Sequence, residues 1–278
     1  MTKPPLRTAV VTGASSGIGR ELVRQLVRDR KMNVLATARR RDRLESLAAE
    51  FPEGRVAILD GDLTDPEFRA RLWEFAESHF PDGLDLLVNN AGLGHYGPFE
   101  EQSAASINRI FDVNVIALCD LTSRAIVHMK ARGHGQILQI SSVLGFLGIP
   151  DSAAYVASKH AVNGLVKSLR YELRGTGIRV WAACPGPTES EFSQAAVEAV
   201  GAMDGAMPHR VPTDRVVREI VRELDGRRAF LMPSGDARWI VRLAHWLPAP
   251  FDLFMSRWGP RHFRKEHEEL RKRVGKPR

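Results

Sequence analysis

Tyr155 and Lys159 lie four residues apart in a segment that the sequence predicts to be helical from about Ser152 onward. At this spacing, both side chains rise on one face of a helix. A phenol has an ordinary pKa of about 10, so it exchanges protons poorly at neutral pH unless a cation stabilises the phenolate. A neighbouring ammonium group is such a cation, which makes the pair suitable for acid–base catalysis. A solvent-exposed pair on a helix has the same spacing and is the alternative interpretation.

Three more segments of polar and turn-forming residues follow short apolar runs that predict strands. They are Asn89-Asn90-Ala91-Gly92, Ser141-Ser142 and Pro185-Gly186-Pro187-Thr188. In an open α/β sheet, ligands bind outside the carboxyl ends of the strands. A turn or a cap explains each segment alone, but all of them at one edge indicate a catalytic site. Asn114, in the helix that follows the fourth strand, belongs to the same set.

A glycine-rich turn stands between the first predicted strand and the first predicted helix. It reads Thr12-Gly13-Ala14-Ser15-Ser16-Gly17-Ile18-Gly19. Glycines allow a sharp turn and the close approach of a pyrophosphate, and the helix that follows presents free N–H groups to the anion. The spacing differs from the general Gly-x-Gly-x-x-Gly fingerprint, and tight structural turns also use glycines. The position of the turn favours a nucleotide site.

Arginines follow the second predicted strand, in the run Arg39-Arg40-Arg41-Asp42-Arg43. A site for NAD usually has a carboxylate about 20 residues beyond the glycines, where it accepts hydrogen bonds from the ribose. A guanidinium instead binds a 2′-phosphate through charge-assisted contacts. The sequence therefore predicts NADP(H), with Arg39 as the first candidate for the phosphate and Arg40 as the second. A solvated start of a helix is the alternative, although cations at a helix N-terminus oppose its dipole.

Short apolar runs alternate with amphipathic helical patterns through most of the chain. The predicted strands are 8–11, 33–37, 56–59, 84–88, 136–140, 178–183 and 228–232. Strands that alternate with helices form a parallel sheet covered on both faces and joined by right-handed crossovers. Uninterrupted apolar strands agree with a sheet buried on both sides. The elements therefore bring the polar segments to one edge of an α/β fold.

The sequence resembles the short-chain dehydrogenase/reductase family over about residues 7–232. The resemblance rests on Thr12-Gly13-x3-Gly17-x-Gly19, Asp62 in Gly61-Asp62-Leu63-Thr64, Asn89-Asn90-Ala91-Gly92, Asn114, Ser142, Tyr155-x3-Lys159 and Pro185-Gly186. It implies an α/β fold with a Rossmann-like, doubly wound parallel sheet of seven strands in the order 3-2-1-4-5-6-7. It also implies hydride transfer between a nicotinamide and a carbonyl or alcohol. The arginine that follows Ala38 is similar to that of the NADP-preferring subgroup.

The resemblance also implies roles for individual residues. Asp62 and Leu63 flank the adenine, Asn90 supports the sheet beside the cofactor, and Thr188 bonds the carboxamide of the nicotinamide. The implied catalytic residues are Asn114, Ser142, Tyr155 and Lys159, with Asn114 holding a water that relays protons to Lys159. The motifs and the resemblance together assign cofactor contacts to Gly13, Ser15, Ser16, Gly17, Ile18, Gly19, Arg39, Arg40, Asp62, Leu63, Asn90, Ala91, Gly92, Tyr155, Lys159, Pro185, Gly186 and Thr188.

The chain has 278 residues and a net charge of +7, with hydrophobic residues at 44%, so its composition is that of a globular protein. The charge is uneven, because residues 257–278 contain nine of the 40 basic residues and three of the 33 acidic ones. Nucleic acid is therefore not an expected partner of the body. The two cysteines exclude a disulfide scaffold and a four-cysteine zinc site, and no metal is expected. The absence of a signal peptide pattern and of a spanning segment predicts a cytoplasmic protein.

The loops after the strands predict the character of the substrate. Apolar residues follow Ser142 in 144–150, and the segment 95–99 would form the opposite wall. The segment 189–209 carries Phe192, Met203 and Met207 among small residues, as a mobile lid does. Each apolar residue alone is better explained by core packing, and His95 is expected at the surface. Together they favour an apolar or amphipathic substrate.

The pattern changes after Pro233, so the sequence predicts a catalytic domain over 1–235 and a helical extension over 236–278. Trp239, Leu243, Trp246 and Leu247 fall on one helical face, and Phe251, Phe254, Met255 and Trp258 repeat the spacing. Two interpretations stay open. In the first, the extension packs against protein and covers the sheet edge, the substrate site or a second subunit. In the second, its aromatic and basic residues in 239–265 contact a membrane surface.

The predicted function is an NADP(H)-dependent oxidoreductase that acts on a small apolar carbonyl compound or secondary alcohol. A regulatory or scaffolding protein that binds NADP without catalysis is one alternative, but it does not need all four catalytic side chains. A non-redox reaction on the same fold, such as epimerisation or dehydration, is another. The family resemblance implies a homodimer or a homotetramer.

Overall fold

The computed structural model describes residues 6–189, 210–233 and 235–259. Its seven strands are β1 Thr8–Thr12, β2 Asn33–Ala38, β3 Val56–Asp60, β4 Leu86–Asn89, β5 Gly135–Ile140, β6 Ile178–Ala183 and β7 Phe230–Leu231. The helices are α1 Gly17–Arg28, α2 Arg41–Ala48, α3 Pro66–His79, α4 Ala104–Phe111, α5 Leu118–Arg132, α6 Ala153–Glu172, α7 Thr213–Glu223, α8 Gly235–Trp246 and α9 over 248–259. A π-helical segment, Asp112–Ala117, joins α4 to α5.

All seven strands form one parallel sheet in the order β3-β2-β1-β4-β5-β6-β7. This is the predicted order, and it places the start of the chain in the middle of the sheet. Successive residues of β1 face opposite sides. Ala9 and Val11 belong to one buried apolar cluster and Val10 belongs to the other. Helices cover both faces, which explains why apolar residues predominate on both sides of these strands.

The helices pack through the apolar stripes that the sequence shows. In α1, Leu22, Val23, Leu26 and Val27 are buried, and α7 packs against α1 on the same face of the sheet. The start of α3 has Pro66 in its first turn, and the Asp65 side chain accepts a hydrogen bond from the backbone N–H of Glu67 (2.9 Å). Acidic and proline residues are favoured at such positions.

The predicted strands are confirmed. Most of the strand ends differ from the prediction by one or two residues. β7 is the shortest, with two residues where the sequence predicts 228–232. The predicted lid, apart from Glu189, lies outside the described residues, as does the extension beyond 259. The division into a catalytic domain and an extension stays a prediction. Among the residues the structure describes, no helix combines the length and apolar character that crossing a bilayer requires.

Candidate active site

A cavity of about 660 Å³ lies along the carboxyl ends of the central strands. Every residue that the sequence assigns to cofactor binding lines it. They are Gly13, Ser15, Ser16, Gly17, Ile18, Gly19, Arg39, Arg40, Asp62, Leu63, Asn90, Ala91, Gly92, Tyr155, Lys159, Pro185, Gly186 and Thr188. Ser142 lines the same cavity. Residues far apart in the sequence meet here because parallel strands end at one edge of the sheet.

The glycine-rich turn has no room for a side chain at Gly13 or Gly19. Gly13 has a φ of +66°, and a β-carbon there would lie 2.8 Å from Cα of Ala91. A β-carbon at Gly19 would overlap the carbonyl oxygen of Gly13 and Nδ2 of Asn90. These two positions therefore need glycine for backbone conformation and for close approach.

The N-terminus of α1 has backbone donors that its own side chains do not cap. Ser16, at the N-cap, makes no capping bond, and the first turn contains no acidic residue. The first N–H groups of a helix lack intrahelical partners and carry the positive end of its dipole. Such an end binds phosphate readily, and here it lines the cavity.

Arginines from the end of β2 and the start of α2 stand beside this turn. Arg40 donates hydrogen bonds to Ser15 Oγ (3.0 Å) and Ser16 Oγ (2.9 Å). Arg39 lines the cavity and is exposed, and it has no hydrogen bond or ion pair with any described residue. Arg43 lines the cavity too, whereas Arg41 turns away and pairs with Glu45 and Asp60. Arg39 thus has its guanidinium free for a ligand.

Asp62 is fixed in place by its neighbours. Oδ1 accepts hydrogen bonds from the backbone N–H and the hydroxyl of Thr64, and Oδ2 pairs with Arg109 (2.9 Å). Burial raises the pKa of Asp62, but the hydrogen bonds from Thr64 and the charge of Arg109 outweigh it, so the net pKa is lowered. Asp62 is the only carboxylate among the described residues that line the cavity, against five arginines and Lys159. The cavity therefore favours a polyanionic ligand.

Asn90 joins two of these elements. Its Nδ2 donates to the backbone oxygens of Thr12 (2.8 Å) and Gly13 (3.2 Å). The hydroxyl of Thr12 in turn accepts bonds from the backbone N–H groups of Asn90 and Ala91. The end of β4 is therefore bonded to the glycine-rich turn, in keeping with the supporting role that the resemblance implies.

The other end of the cavity holds Ser142, Tyr155 and Lys159. Ser142 ends the segment after β5 and forms a hydrogen bond with the Tyr155 side chain. Lys159 lies one turn further along α6, with Nζ 5.6 Å from the centre of the Tyr155 ring. Nζ donates to the backbone oxygen of Ile140 (3.0 Å). Lys159 is 4% exposed, so the alternative of a solvent-exposed pair is wrong.

Burial governs the protonation of these groups. It raises the pKa of Tyr155 to about 12, while the hydrogen bond with Ser142 acts in the opposite direction. Burial also lowers the pKa of Lys159 to about 8. The sequence predicts that Lys159 lowers the pKa of Tyr155. In this structure desolvation is the larger effect, since the ammonium bonds to Ile140. At neutral pH, Tyr155 is thus a protonated phenol that is able to donate.

Asn114 is completely buried and does not line the cavity. Its Oδ1 accepts from the backbone N–H of Leu93 (2.7 Å), and its Nδ2 donates to the oxygen of Leu93 (2.9 Å) and to Ser158 Oγ (2.9 Å). It lies in the π-helical segment and not in a regular helix, and such segments are frequent at functional sites. The side chain joins this segment to the loop after β4 and to α6. The water relay through Asn114 stays a prediction.

Apolar side chains surround the catalytic end. Among the described residues, Leu93, Val113, Val143 and Leu144 line the cavity. Phe146 instead packs edge-on against Phe230, with ring centres 5.2 Å apart. His95 was expected at the surface, but it is 7% exposed, because the loop 93–97 folds inward and bonds to Asp151 through Gly97. Phe192, Met203 and Met207 lie outside the described residues.

Sequence reasoning did not identify Arg109 and Arg210, both of which line the cavity. Arg109 precedes the π-helical segment, and its pairing with Asp62 spans 47 residues, so no local pattern reveals it. Arg210 follows the predicted lid, where the sequence shows no motif. Both add positive charge to the cavity, Arg109 beside Asp62 and Arg210 beside the segment 187–189 that pairs with Val211.

Known proteins share this sequence pattern. A family model described as short chain dehydrogenase matches residues 7–201. Human retinol dehydrogenase 8 is 35% identical over 191 residues, which are 67% of this chain and 60% of that protein. The 1-deoxy-11-beta-hydroxypentalenate dehydrogenase of Streptomyces exfoliatus is 36% identical over 242 residues, which are 85% of this chain and 86% of that protein. The chain thus covers less than two thirds of the retinol dehydrogenase.

Solved structures share the fold as well. A short-chain dehydrogenase from Sphingobium yanoikuyae in complex with NADPH has a TM-score of 0.75 and 30% identity, over 90% of this chain and 96% of that chain. An alcohol dehydrogenase from Thermococcus sibiricus complexed with 5-hydroxy-NADP has a TM-score of 0.71 and 26% identity, over 81% of this chain and 95% of that one. Sequence and fold agree, and the chain belongs to the short-chain dehydrogenase family of oxidoreductases.

Proposed function

We propose that the protein is an NADP(H)-dependent oxidoreductase that transfers a hydride between nicotinamide and a carbonyl or secondary alcohol. The observation that carries the proposal is the shared cavity. The glycine-rich turn and Arg39 line one end of it, and Ser142, Tyr155 and Lys159 line the other. A protein that only binds a nucleotide does not need a half-buried phenol and a buried ammonium at the far end of the site.

The residues present suit a dinucleotide. The uncapped N-terminus of α1 and the turn that excludes side chains at Gly13 and Gly19 form a cradle for a pyrophosphate. Asp62 and Leu63 would hold the adenine, and Thr188 and Gly186 would hold the nicotinamide; all four line the cavity. The bound cofactor supplies or accepts the hydride; the protein supplies binding, orientation and proton transfer.

Arg39 favours NADP(H) over NAD(H). Its guanidinium is without a partner among the described residues, and no carboxylate stands at the end of β2 to accept bonds from a ribose. Arg40 and Arg43 add charge beside it. Fixed cations in this position bind a 2′-phosphate and have no matching group in NAD(H). Similar solved structures include complexes with NADPH, with 5-hydroxy-NADP and with NAD, so the choice rests on the arginines.

Ser142 and Tyr155 hold the oxygen of the substrate between their hydroxyls. Negative charge builds on that oxygen during reduction, and the two donors stabilise it. Tyr155 delivers the proton as a general acid in reduction and removes it in oxidation. Lys159 is the buried cation beside the Tyr155 ring, where its Nζ donates to Ile140, and it would bind the ribose hydroxyls of the cofactor. Asn114 holds α6 at the correct distance from the loop after β4.

The substrate is apolar or amphipathic. Leu93, Val113, Val143 and Leu144 surround the catalytic end, so the part of the substrate beside the reacting carbon meets hydrocarbon. The polar atoms there are concentrated on the two hydroxyls that hold the reacting oxygen.

The protein works as a homodimer or a homotetramer, which sedimentation velocity would test.

A panel of ketones and secondary alcohols of increasing apolar size tests the reaction. Turnover is followed at the nicotinamide absorbance with NADPH or NADP⁺, and Tyr155→Phe is the control for chemistry at this site. We expect turnover that rises with apolar character and disappears in the variant. Unchanged turnover in Tyr155→Phe would contradict the assignment, and NADPH binding with no redox turnover of any substrate would favour a non-redox or regulatory role.

A further inference from the structure

Large apolar side chains at the surface are concentrated in α8, α9 and the residue between them. Of thirteen exposed large hydrophobic residues among those described, eight lie between 239 and 258. They are Trp239, Ile240, Leu243, Trp246, Leu247, Leu253, Phe254 and Trp258. Scattered apolar residues are normal on a protein surface, but a contiguous group marks a contact with another apolar phase. We refer to this group as the C-terminal apolar face.

The face is built by helix geometry. Trp239, Leu243 and Trp246 stand at i, i+4 and i+7 of α8 and are 64%, 52% and 71% exposed. Val241, on the opposite side of the same helix, is 8% exposed and packs toward the body. The helix is therefore attached to the protein by one side, and the apolar stripe that the sequence shows is the other side. Among the described residues, none covers that stripe.

The second helix repeats this arrangement. Phe251, Met255 and Gly259 follow at i, i+4 and i+8 on the inner side, where a β-carbon at Gly259 would lie 3.4 Å from Cγ of Pro150. Phe254 and Trp258 point outward and stack on each other, with ring centres 5.5 Å apart. The sequence predicts one face for Phe251, Phe254, Met255 and Trp258. In the structure, Phe251 and Met255 face the body, and Phe254 and Trp258 belong to the C-terminal apolar face.

Cations border the aromatic side chains. The Arg242 guanidinium lies 5.0 Å from the Trp239 ring centre, and Arg257 lies between the exposed Phe254 and Trp258 in sequence. The sequence that follows, 260–278, outside the described residues, contains eight Lys and Arg residues against three Glu. Tryptophans with flanking cations are suited to the boundary between lipid headgroups and acyl chains.

The charge decides between two occupants of this face. A second copy of the chain in a symmetric dimer would bring two basic margins together, which costs free energy. An anionic lipid surface instead attracts them, by about 1 kcal/mol for each Lys or Arg close to the membrane. Both occupants would cover the tryptophans, but only the lipid also matches the cations.

We propose that the C-terminal apolar face binds the surface of an anionic phospholipid bilayer, with Trp239, Trp246 and Trp258 at the level of the headgroups and the arginines on the lipid phosphates. α8 lies against the turn Val143–Gly145, and α9 lies against Pro150. Both contacts are with the segment that begins at Ser142. Binding therefore holds the mouth of the catalytic end beside the bilayer. The delivery of an apolar substrate from the lipid rests on the proposed function; the binding itself does not.

Flotation of the full-length protein with lipid vesicles tests the proposal. The vesicles are phosphatidylcholine alone or phosphatidylcholine with phosphatidylserine, at low and at high salt, without cofactor or substrate. We expect flotation with the anionic vesicles, which weakens in salt and on the neutral ones. Replacing Trp239 and Trp246 together by Glu removes two aromatic anchors and adds two negative charges, and should reduce the bound fraction at least about tenfold.

The matched control replaces Val127 and Tyr171, which are 71% and 77% exposed on the body, by Glu. It should bind like the native chain, and circular dichroism and the melting temperature show that both double variants are folded. Absence of flotation with anionic vesicles, or equal flotation of both variants, would overturn the proposal. A dimer that the tryptophan variant dissociates, without any lipid binding by the native protein, would assign the face to a second copy. No nicotinamide is present, so failure here leaves the proposed reaction intact.

Discussion

The two ends of the cavity are built in different ways. The phosphate end consists of neighbouring elements, β1 with α1 and β2 with α2, and its Arg39 is exposed and has no partner among the described residues. The catalytic end brings together Ser142 after β5 and two residues of α6, with Lys159 4% exposed. At the phosphate end, a charged side chain without a partner among the described residues is exposed to solvent. At the catalytic end, a charged side chain is buried.

This difference suggests a division of labour. An exposed guanidinium gains little from the protein itself and is therefore available to a phosphate. A half-buried phenol and a buried ammonium have shifted pKa values, as acid–base groups in active sites often do. Changes at the catalytic end should therefore alter the rate constants, and changes at the phosphate end should alter which cofactor binds.

The largest expected effect is that of Tyr155→Phe. Loss of the hydroxyl removes the proton donor but keeps the ring, so kcat should fall by about 10³-fold or more, near the upper range for general acid catalysis. The Kd for NADPH should change by less than about tenfold, since at most one hydrogen bond between neutral groups, worth about 0.5–1.5 kcal/mol, is lost. Steady-state kinetics and a fluorescence titration measure the two values.

The control for this variant is Tyr171→Phe, since Tyr171 is 77% exposed and lies on the same helix. It should leave both values unchanged. If Tyr155→Phe turned over substrate at the native rate, the assignment of proton transfer to the catalytic end would be wrong.

Replacing Lys159 by Met should remove a pH dependence of stability. The pKa of Lys159 is lowered from 10.5 to about 8, so the folded state disfavours the ammonium. From about pH 8 to about pH 10 the unfolded state binds more protons at this residue, so the contribution of Lys159 to the free energy of unfolding rises with pH in this window. The full effect is about 3 kcal/mol. Burial raises the pKa of Cys184 from 9.0 to about 12, and that thiol acts in the opposite direction above about pH 9. Above about pH 10 the raised pKa of Tyr155 also acts in the opposite direction.

Urea unfolding of the native chain and of Lys159→Met across this pH window gives the difference. Lys130→Met, at an exposed position of α5, is the matched control and should keep the native slope. If Lys159→Met kept the native slope as well, burial would not govern the catalytic end.

Arg39→Gln should lower cofactor discrimination. Loss of a charge-assisted bond to a 2′-phosphate costs about 1.5–3 kcal/mol, so the Kd for NADPH should rise by about 10- to 100-fold while the Kd for NADH stays the same. Arg41→Gln is the control, since Arg41 pairs with Glu45 and Asp60 and does not line the cavity. An equal loss of NADPH and NADH affinity in Arg39→Gln would contradict a phosphate-specific role.

The smallest effect is expected for Asn90→Ala, which lies between the two ends. The change leaves the backbone oxygens of Thr12 and Gly13 without its Nδ2, at a cost of about 1–2 kcal/mol in the free energy of unfolding. Because the cradle is then less firmly held, both kcat and the Kd for NADPH should worsen by a few-fold. Asn108→Ala, at an exposed position of α4, should change neither. An effect on one end alone would mean that Asn90 does not join them.

Local patterns predicted what depends on local structure. The turn from Gly13 to Gly19 was predictable because glycine, a strand before it and a helix after it are all contiguous. The strand order followed from the resemblance and is confirmed by the sheet. Each cofactor residue proposed from the sequence lines the cavity, because every strand of a parallel sheet brings its carboxyl end to the same edge.

Properties that depend on distant neighbours were not predictable. The pairing of Asp62 with Arg109, the burial of His95 and the engagement of Asn114 with Leu93 all arise from loops that meet in space. The pKa of Tyr155 depends on desolvation, which the spacing to Lys159 does not encode. The periodicity of α8 and α9 likewise predicts apolar faces but does not say which face the body covers.

Titration of the native protein with NADPH and with NADH, in the absence of substrate, tests the central claim most directly. Quenching of tryptophan fluorescence or enhancement of nicotinamide fluorescence reports binding. Among the described residues, Arg39 has no partner and Asp62 is the one carboxylate that lines the cavity, which predicts that NADPH binds at least about tenfold more tightly than NADH. Equal affinities would contradict the role of the phosphate end, and binding of neither nucleotide would contradict the assignment of the cavity itself.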